Sequence, residues 1–118
     1  MRRTLRAFIV GATVLFDVSA SHALNSDSRN FAFWCTLPES SIEGALLNSY
    51  IDGTVDTLLY AYEISKSRRR FCLPPTANRA MLANAFCSFI RRNPNLVEYL
   101  AAQTIERAME QTFPCRQN

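Results

Sequence analysis

Histidine is almost missing from this chain: of 118 residues, one is histidine, His22. A protein so short of imidazole has little material for a Ser-His-Asp triad, a Cys-His pair or a histidine metal site. Glycine is also scarce, at 3 residues, and proline at 5, which excludes collagen-like and low-complexity classes. No run of about 18 apolar residues occurs, so no segment reads as a membrane-spanning helix. The cysteines show no C-x-x-C spacing, and zinc is excluded on that ground together with the want of histidine. No nucleophile and base stand in any recognisable pattern, so an enzyme is the weakest of the functional readings. No cofactor is expected.

What is present begins with a basic stretch, residues 1–6, followed by a short apolar stretch, residues 7–16. Ser21-His22-Ala23 then places small residues at the −3 and −1 positions of a signal peptidase site, with Val18-Ser19-Ala20 as a second site. The expectation is a signal peptide over residues 1–23, a mature domain over 24–118, and export. Cleavage after Ala23 also removes His22. Taking Arg2, Arg3, Arg6 and Asp17 from the 13 basic and 10 acidic residues leaves 10 against 9. The net charge thus falls from +3 to +1, and the mature domain lacks the basic field that a general nucleic-acid binder needs. No membrane insertion is expected after cleavage.

The chain is 48% hydrophobic and 19% charged over its whole length, which suits a globule rather than a disordered chain. Beyond the signal segment its periodicity is helical throughout, with no alternating run of β-branched residues. Asn25-Ser26-Asp27 offers caps for a first helix ending between Cys35 and Leu37, before Pro38. Ser40 or Ser41 caps a second helix running to Ser65, whose buried face carries Ile51, Val55, Leu58, Leu59 and Tyr62. Gly53 in its middle implies that a neighbouring backbone comes close. Pro74-Pro75 forces an extended segment. Thr76 caps a third helix with Met81, Leu82, Ala85, Phe86, Phe89 and Ile90 inward. Asn93-Pro94 reads as a cap and first residue of a short helix through Tyr99. The last helix covers 101–112, with Ile105, Ala108, Met109 and Thr112 on one face. The fold class is therefore all-α: a small, disulfide-stapled helical domain of four to five helices.

Cys35, Cys72, Cys87 and Cys115, behind a signal peptide, argue for two disulfides, and three connectivities are open. Two acidic pairs at i, i+4, Asp52 with Asp56 and Glu106 with Glu110, read as surface charges. Lys66, Arg68, Arg69 and Arg70 make a basic connector after the second helix.

Several of these residues carry a resemblance. Phe71-Cys72-Leu73-Pro74, a helix, Asn93-Pro94, and Ala108-Met109 running into Phe113-Pro114-Cys115 resemble the motifs of the Rap/Tai family of type VI secretion immunity proteins. Tyr50, Gly53, Val55 and Asp56 resemble that family's G-Y-x-x-G-x-x-D helix. Leu47, Asn48 and Ser49 stand where many members have a cysteine, Cys87 is unusual, and Asn93 replaces the family's histidine.

The resemblance implies a periplasmic, often dimeric protein that binds a peptidoglycan amidase and plugs its cleft, with no catalysis of its own. It implies pairing of Cys72 with Cys115, the cysteines of the matched motifs. Cys35 and Cys87 are then the remaining pair. The segments fit to plug a cleft are Arg91-Arg92-Asn93, steadied by Pro94 and the Cys87 crosslink, and then Arg68, Arg69 and Arg70. The second reading is a small periplasmic chaperone of the acid-stress type, against which the ordinary carboxylate content counts. A family member without a toxin partner is a further alternative.

Overall fold

The computed structural model describes residues 28–116. The expected first caps and the whole signal segment lie outside them. Four α-helices and one 3-10 turn make up the fold: α1 (Ser28–Trp34), α2 (Ile42–Ser65), α3 (Arg79–Arg92), the turn Pro94–Glu98, and α4 (Ala101–Thr112). Among the described residues there is no strand, only an isolated antiparallel bridge between Phe71 and Pro114.

The core lies where α2, α3 and α4 meet. Leu47, Ile51 and Val55 supply α2's share, Leu82, Ala85, Phe86, Phe89 and Ile90 that of α3, and Ala101, Ile105, Ala108 and Met109 that of α4. Phe71, from the extended connector, is wholly buried beside them. Short α1 closes one side. Its Phe31 stacks on Tyr50 with ring centroids 4.6 Å apart and meets Trp34 edge-on at 5.1 Å. The buried Ser28 hydroxyl lies 2.8 Å from Thr104 Oγ1, and its N–H donates to the Tyr99 carbonyl at 3.0 Å, so α1 begins against the start of α4.

Local chemistry sets the helix boundaries. Ser41 caps α2, accepting from the Gly44 N–H at 3.0 Å. Lys66 ends α2 in the left-handed conformation, at φ 55°. The third helix is capped by Asn78, not Thr76: the Asn78 side chain accepts from the Met81 N–H at 3.0 Å. A turn closed by Ala77 N–H to the Pro74 carbonyl, at 2.9 Å, takes up Pro75 and Thr76 first. Asn93 is likewise not a side-chain cap for the 3-10 turn after it. Its amide reaches back to the Phe89 carbonyl at 2.9 Å and closes α3.

The close backbone approach belongs to Gly44 rather than Gly53. A Cβ at Gly44 would sit 2.5 Å from the Pro38 carbonyl oxygen, whereas one at Gly53 would meet nothing within 4 Å. The chain folds back over the first turn of α2 because Pro38 stops the preceding segment and Ser41 N–H then bonds to the Pro38 carbonyl. Thr112 also departs from expectation: it is exposed, one turn beyond the last buried residue of α4.

Candidate partner-binding surface

Two disulfides brace the fold. Cys35–Cys87 ties the end of α1 to α3, and Cys72–Cys115 ties the connector to the segment after α4. The second works beside two backbone links, the Phe71–Pro114 bridge and the Cys72 N–H to the Phe113 carbonyl at 2.8 Å. The basic connector and the basic end of α3 therefore both lie beside crosslinked positions.

Arg91 and Arg92 occupy the last turn of α3, where cations suit the helix dipole. Both are exposed, and neither has a carboxylate within ion-pair distance among the described residues. Arg91 stands one helical turn beyond Cys87 and donates to Ser88 Oγ at 3.2 Å. It borders a cavity of about 90 Å³ whose walls include Trp34, Leu37, Glu39, Asn48 and the Cys35–Cys87 bridge. Arg92, one residue on, faces a different hollow with Met81, Ser88, Thr112 and Phe113. Adjacent helical residues diverge by about 100°, which separates the two guanidinium groups. Asn93, half-buried and engaged with Phe89, is part of the scaffold rather than of the exposed tip.

The connector divides in the same way. Arg68, Arg69 and Arg70 border a hollow closed by Glu110, Pro114 and Cys115. Arg70 is already engaged there, bonding Glu106 at 3.2 Å and Glu110 at 2.9 Å. Arg68 and Arg69 are exposed, with no ion pair among the described residues. Glu106 and Glu110 are accordingly not idle surface charges. They hold the connector against α4, and Glu106 also accepts a hydrogen bond from the Tyr62 hydroxyl. Burial pushes the Tyr62 phenol well above its ordinary value, and the bond to Glu106 acts in the same direction. Asp52 is engaged too, with Arg79 at 2.6 Å, while Asp56 remains an exposed charge.

Sequence reading placed Tyr62 on the apolar face and missed this network. Its one visible trace was the pair Glu106 and Glu110 on a single face of the last helix, opposite a run of arginines of unknown direction. The described residues contain no group of His, Cys, Asp and Glu that could hold a metal ion, and no helix long and apolar enough to cross a membrane. The site offers charge, shape and rigidity: the makings of a binding surface.

The model of the family described as Rap1a immunity proteins matches residues 27–115. No curated protein and no solved structure matches the chain. The family match spans most of the sequence, and the chain belongs to the Rap1a immunity protein family.

Proposed function

We propose that this immunity protein is exported to the periplasm, where it binds a peptidoglycan amidase delivered by type VI secretion and blocks the amidase cleft. Family membership gives the immunity role and with it a toxin partner. The finer reading rests on the resemblance of its motifs to the Rap/Tai proteins, which also implies action as a homodimer. Residues 1–23 serve as the secretion signal and 24–118 as the working domain. All four cysteines are bridged, and such bonds persist in oxidising compartments such as the periplasm. Inhibition needs occlusion alone, which suits a mature chain without histidine.

The observation that carries the grip on the partner is the end of α3. Arg91 and Arg92 are exposed, free of carboxylates among the described residues, and mounted on a helix crosslinked four residues earlier at Cys87. Such a mount reduces the ordering cost of binding, and arginine is favoured at interface hot spots. The test is titration of the chain with type VI secreted peptidoglycan amidases, read by calorimetry and by peptidoglycan cleavage. The wild-type chain binds and inhibits. The Arg91→Ala, Arg92→Ala double variant, folded by circular dichroism, loses at least about tenfold in affinity, or ~1.4 kcal/mol. Absence of binding by the wild-type chain refutes the amidase reading. A double variant within about threefold of wild type moves the grip to Arg68 and Arg69.

A further inference from the structure

The two disulfides stand in unlike surroundings. Cys35 and Cys87 are half-buried and wall a cavity of about 90 Å³ together with Trp34 and Leu47. That is room for a few waters and no more. Cys72 is exposed, and its partner Cys115 borders a hollow of about 420 Å³, within the size range of small-molecule sites. Arg68, Arg69 and Arg70 line that hollow with Glu110 and Pro114.

The free charge in the hollow is of one sign. Its single acid, Glu110, already holds Arg70 at 2.9 Å, while Arg68 and Arg69 carry no ion pair among the described residues. Two guanidinium groups are thus left to draw in an anion. The reactive sulfur lies against the same wall, with Cys115 Sγ 3.8 Å from the Arg69 carbonyl oxygen. A disulfide is opened by a thiolate and not by the neutral thiol. A thiolate that brings carboxylates of its own is drawn to arginines more strongly than one that does not. Direction matters too, because the attacking sulfur approaches in line with the bond that it breaks. Cys115 lines the hollow and Cys72 does not, so a thiolate seated there meets Cys115 Sγ and makes Cys72 Sγ the departing atom.

We propose that this hollow is a thiol-exchange site for a small thiol that carries carboxylates, and that Cys115 is the sulfur it modifies. The incoming thiol gives its proton to water. Its sulfur bonds to Cys115 Sγ and the Cys72–Cys115 bond breaks. The electron pair of that bond leaves on Cys72 Sγ, which takes a proton from water. Cys72 is thereby reduced to a thiol, the incoming thiol is oxidised into a mixed disulfide, and no other oxidant or reductant enters. In reverse, the Cys72 thiolate expels the small thiol and closes the bridge, so one hollow serves both the opening and the making of the bond.

The fold has other ties to hold the opened strap in place. Phe71, next to Cys72, is wholly buried and bridged to Pro114, and the Cys72 N–H donates to the Phe113 carbonyl at 2.8 Å. Arg70 fastens the connector to Glu106 and Glu110. These contacts keep the two sulfurs side by side, ready for reclosure. Neither toxin binding nor self-association enters the step.

The test exposes the oxidised, secreted chain at low salt to three thiols in turn: reduced glutathione, which is net anionic, neutral 2-mercaptoethanol, and cationic cysteamine. Free thiols are trapped with N-ethylmaleimide at early times, and adducts are mapped on unreduced peptides by mass spectrometry. The first glutathione product carries glutathione on Cys115 and maleimide on Cys72, with Cys35–Cys87 intact. Arg68→Ala, Arg69→Ala, which removes two exposed side chains without ion pairs, stays folded by circular dichroism. It loses at least about tenfold in rate with glutathione, keeps its 2-mercaptoethanol rate within about twofold, and does not slow with cysteamine. Added salt slows the wild-type reaction with glutathione. A first adduct on Cys72, Cys35 or Cys87 overturns the proposal, as does a chain that excess glutathione leaves unmodified. A variant whose rates with all three thiols change alike overturns it as well, since that marks altered access rather than charge.

Discussion

Substituting alanine at Gly44 and at Gly53 tests the fold with one chemical change at two sites of the same helix. At Gly44 the added Cβ would stand 2.5 Å from the Pro38 carbonyl oxygen, 3.0 Å from Glu39 Cα and 3.1 Å from the Glu39 carbonyl oxygen. All three are backbone atoms, so relief requires the Pro38 turn to move, and the Ser41 cap moves with it. Overpacking of this sort costs typically ~1–3 kcal/mol. Helix propensity returns at most ~1 kcal/mol, and less in a first turn that Ser41 already caps. The net expectation for Gly44→Ala is a loss of ~1–2 kcal/mol. At Gly53 the methyl meets nothing within 4 Å, so only the propensity gain remains, about 1 kcal/mol in favour of the fold. The assay is urea unfolding of the oxidised chain followed by circular dichroism, dilute enough to keep it monomeric. The two variants move to opposite sides of wild type. A Gly44→Ala midpoint at or above that of wild type refutes the argument from backbone contact. A Gly53→Ala midpoint below wild type shows that something within the monomer covers Gly53.

The Tyr62 phenol is held neutral in the fold, so the stability it supports is complete below about pH 10, the ordinary tyrosine value, and falls as pH rises through the higher folded value. Tyr62→Phe is therefore less stable than wild type by ~0.5–1.5 kcal/mol at neutral pH, and the gap closes in alkali; a gap that stays constant above about pH 10 contradicts the reading. Non-reducing peptide mapping of the secreted chain yields the 35–87 and 72–115 linked peptides. The Cys35→Ser, Cys87→Ser variant, which opens a link of sequence separation 52, loses ~4 kcal/mol in the chain-entropy model, measured by urea unfolding against the intact form.

Much of the fold was legible because its signals are local. Ser41 ahead of a long apolar period marks the start of α2, and the last helix ends where Phe113-Pro114 forbids its continuation. Capping at α3 was misread because Thr76 and Asn78 offer similar chemistry two residues apart. The choice between them was made by the Pro74 turn, a backbone hydrogen bond that no composition reveals. The glycines show the same limit. Both sit in one helix with nothing local to tell them apart, and only the path of the chain after Pro38 assigns the close contact to Gly44.

The candidate site was legible in charge but not in direction. The residues of the two basic segments drew notice together, and the fold gives them different duties. Arg70 is committed to Glu106 and Glu110, Asn93 to the Phe89 carbonyl, and Arg91 and Arg92 part toward separate hollows. A guanidinium already shared by two carboxylates has less to offer a partner, because leaving them gives up two ion pairs to α4, one of them with the acid that also holds Tyr62. Arg68 and Arg69 carry no such commitment, nor does Arg92, while Arg91 gives up only a bond to Ser88. Sequence reading counts charges. What decides which of them a partner meets is the set of acids the fold has already brought to each, and those acids lie 36 and 40 residues away from Arg70 along the chain.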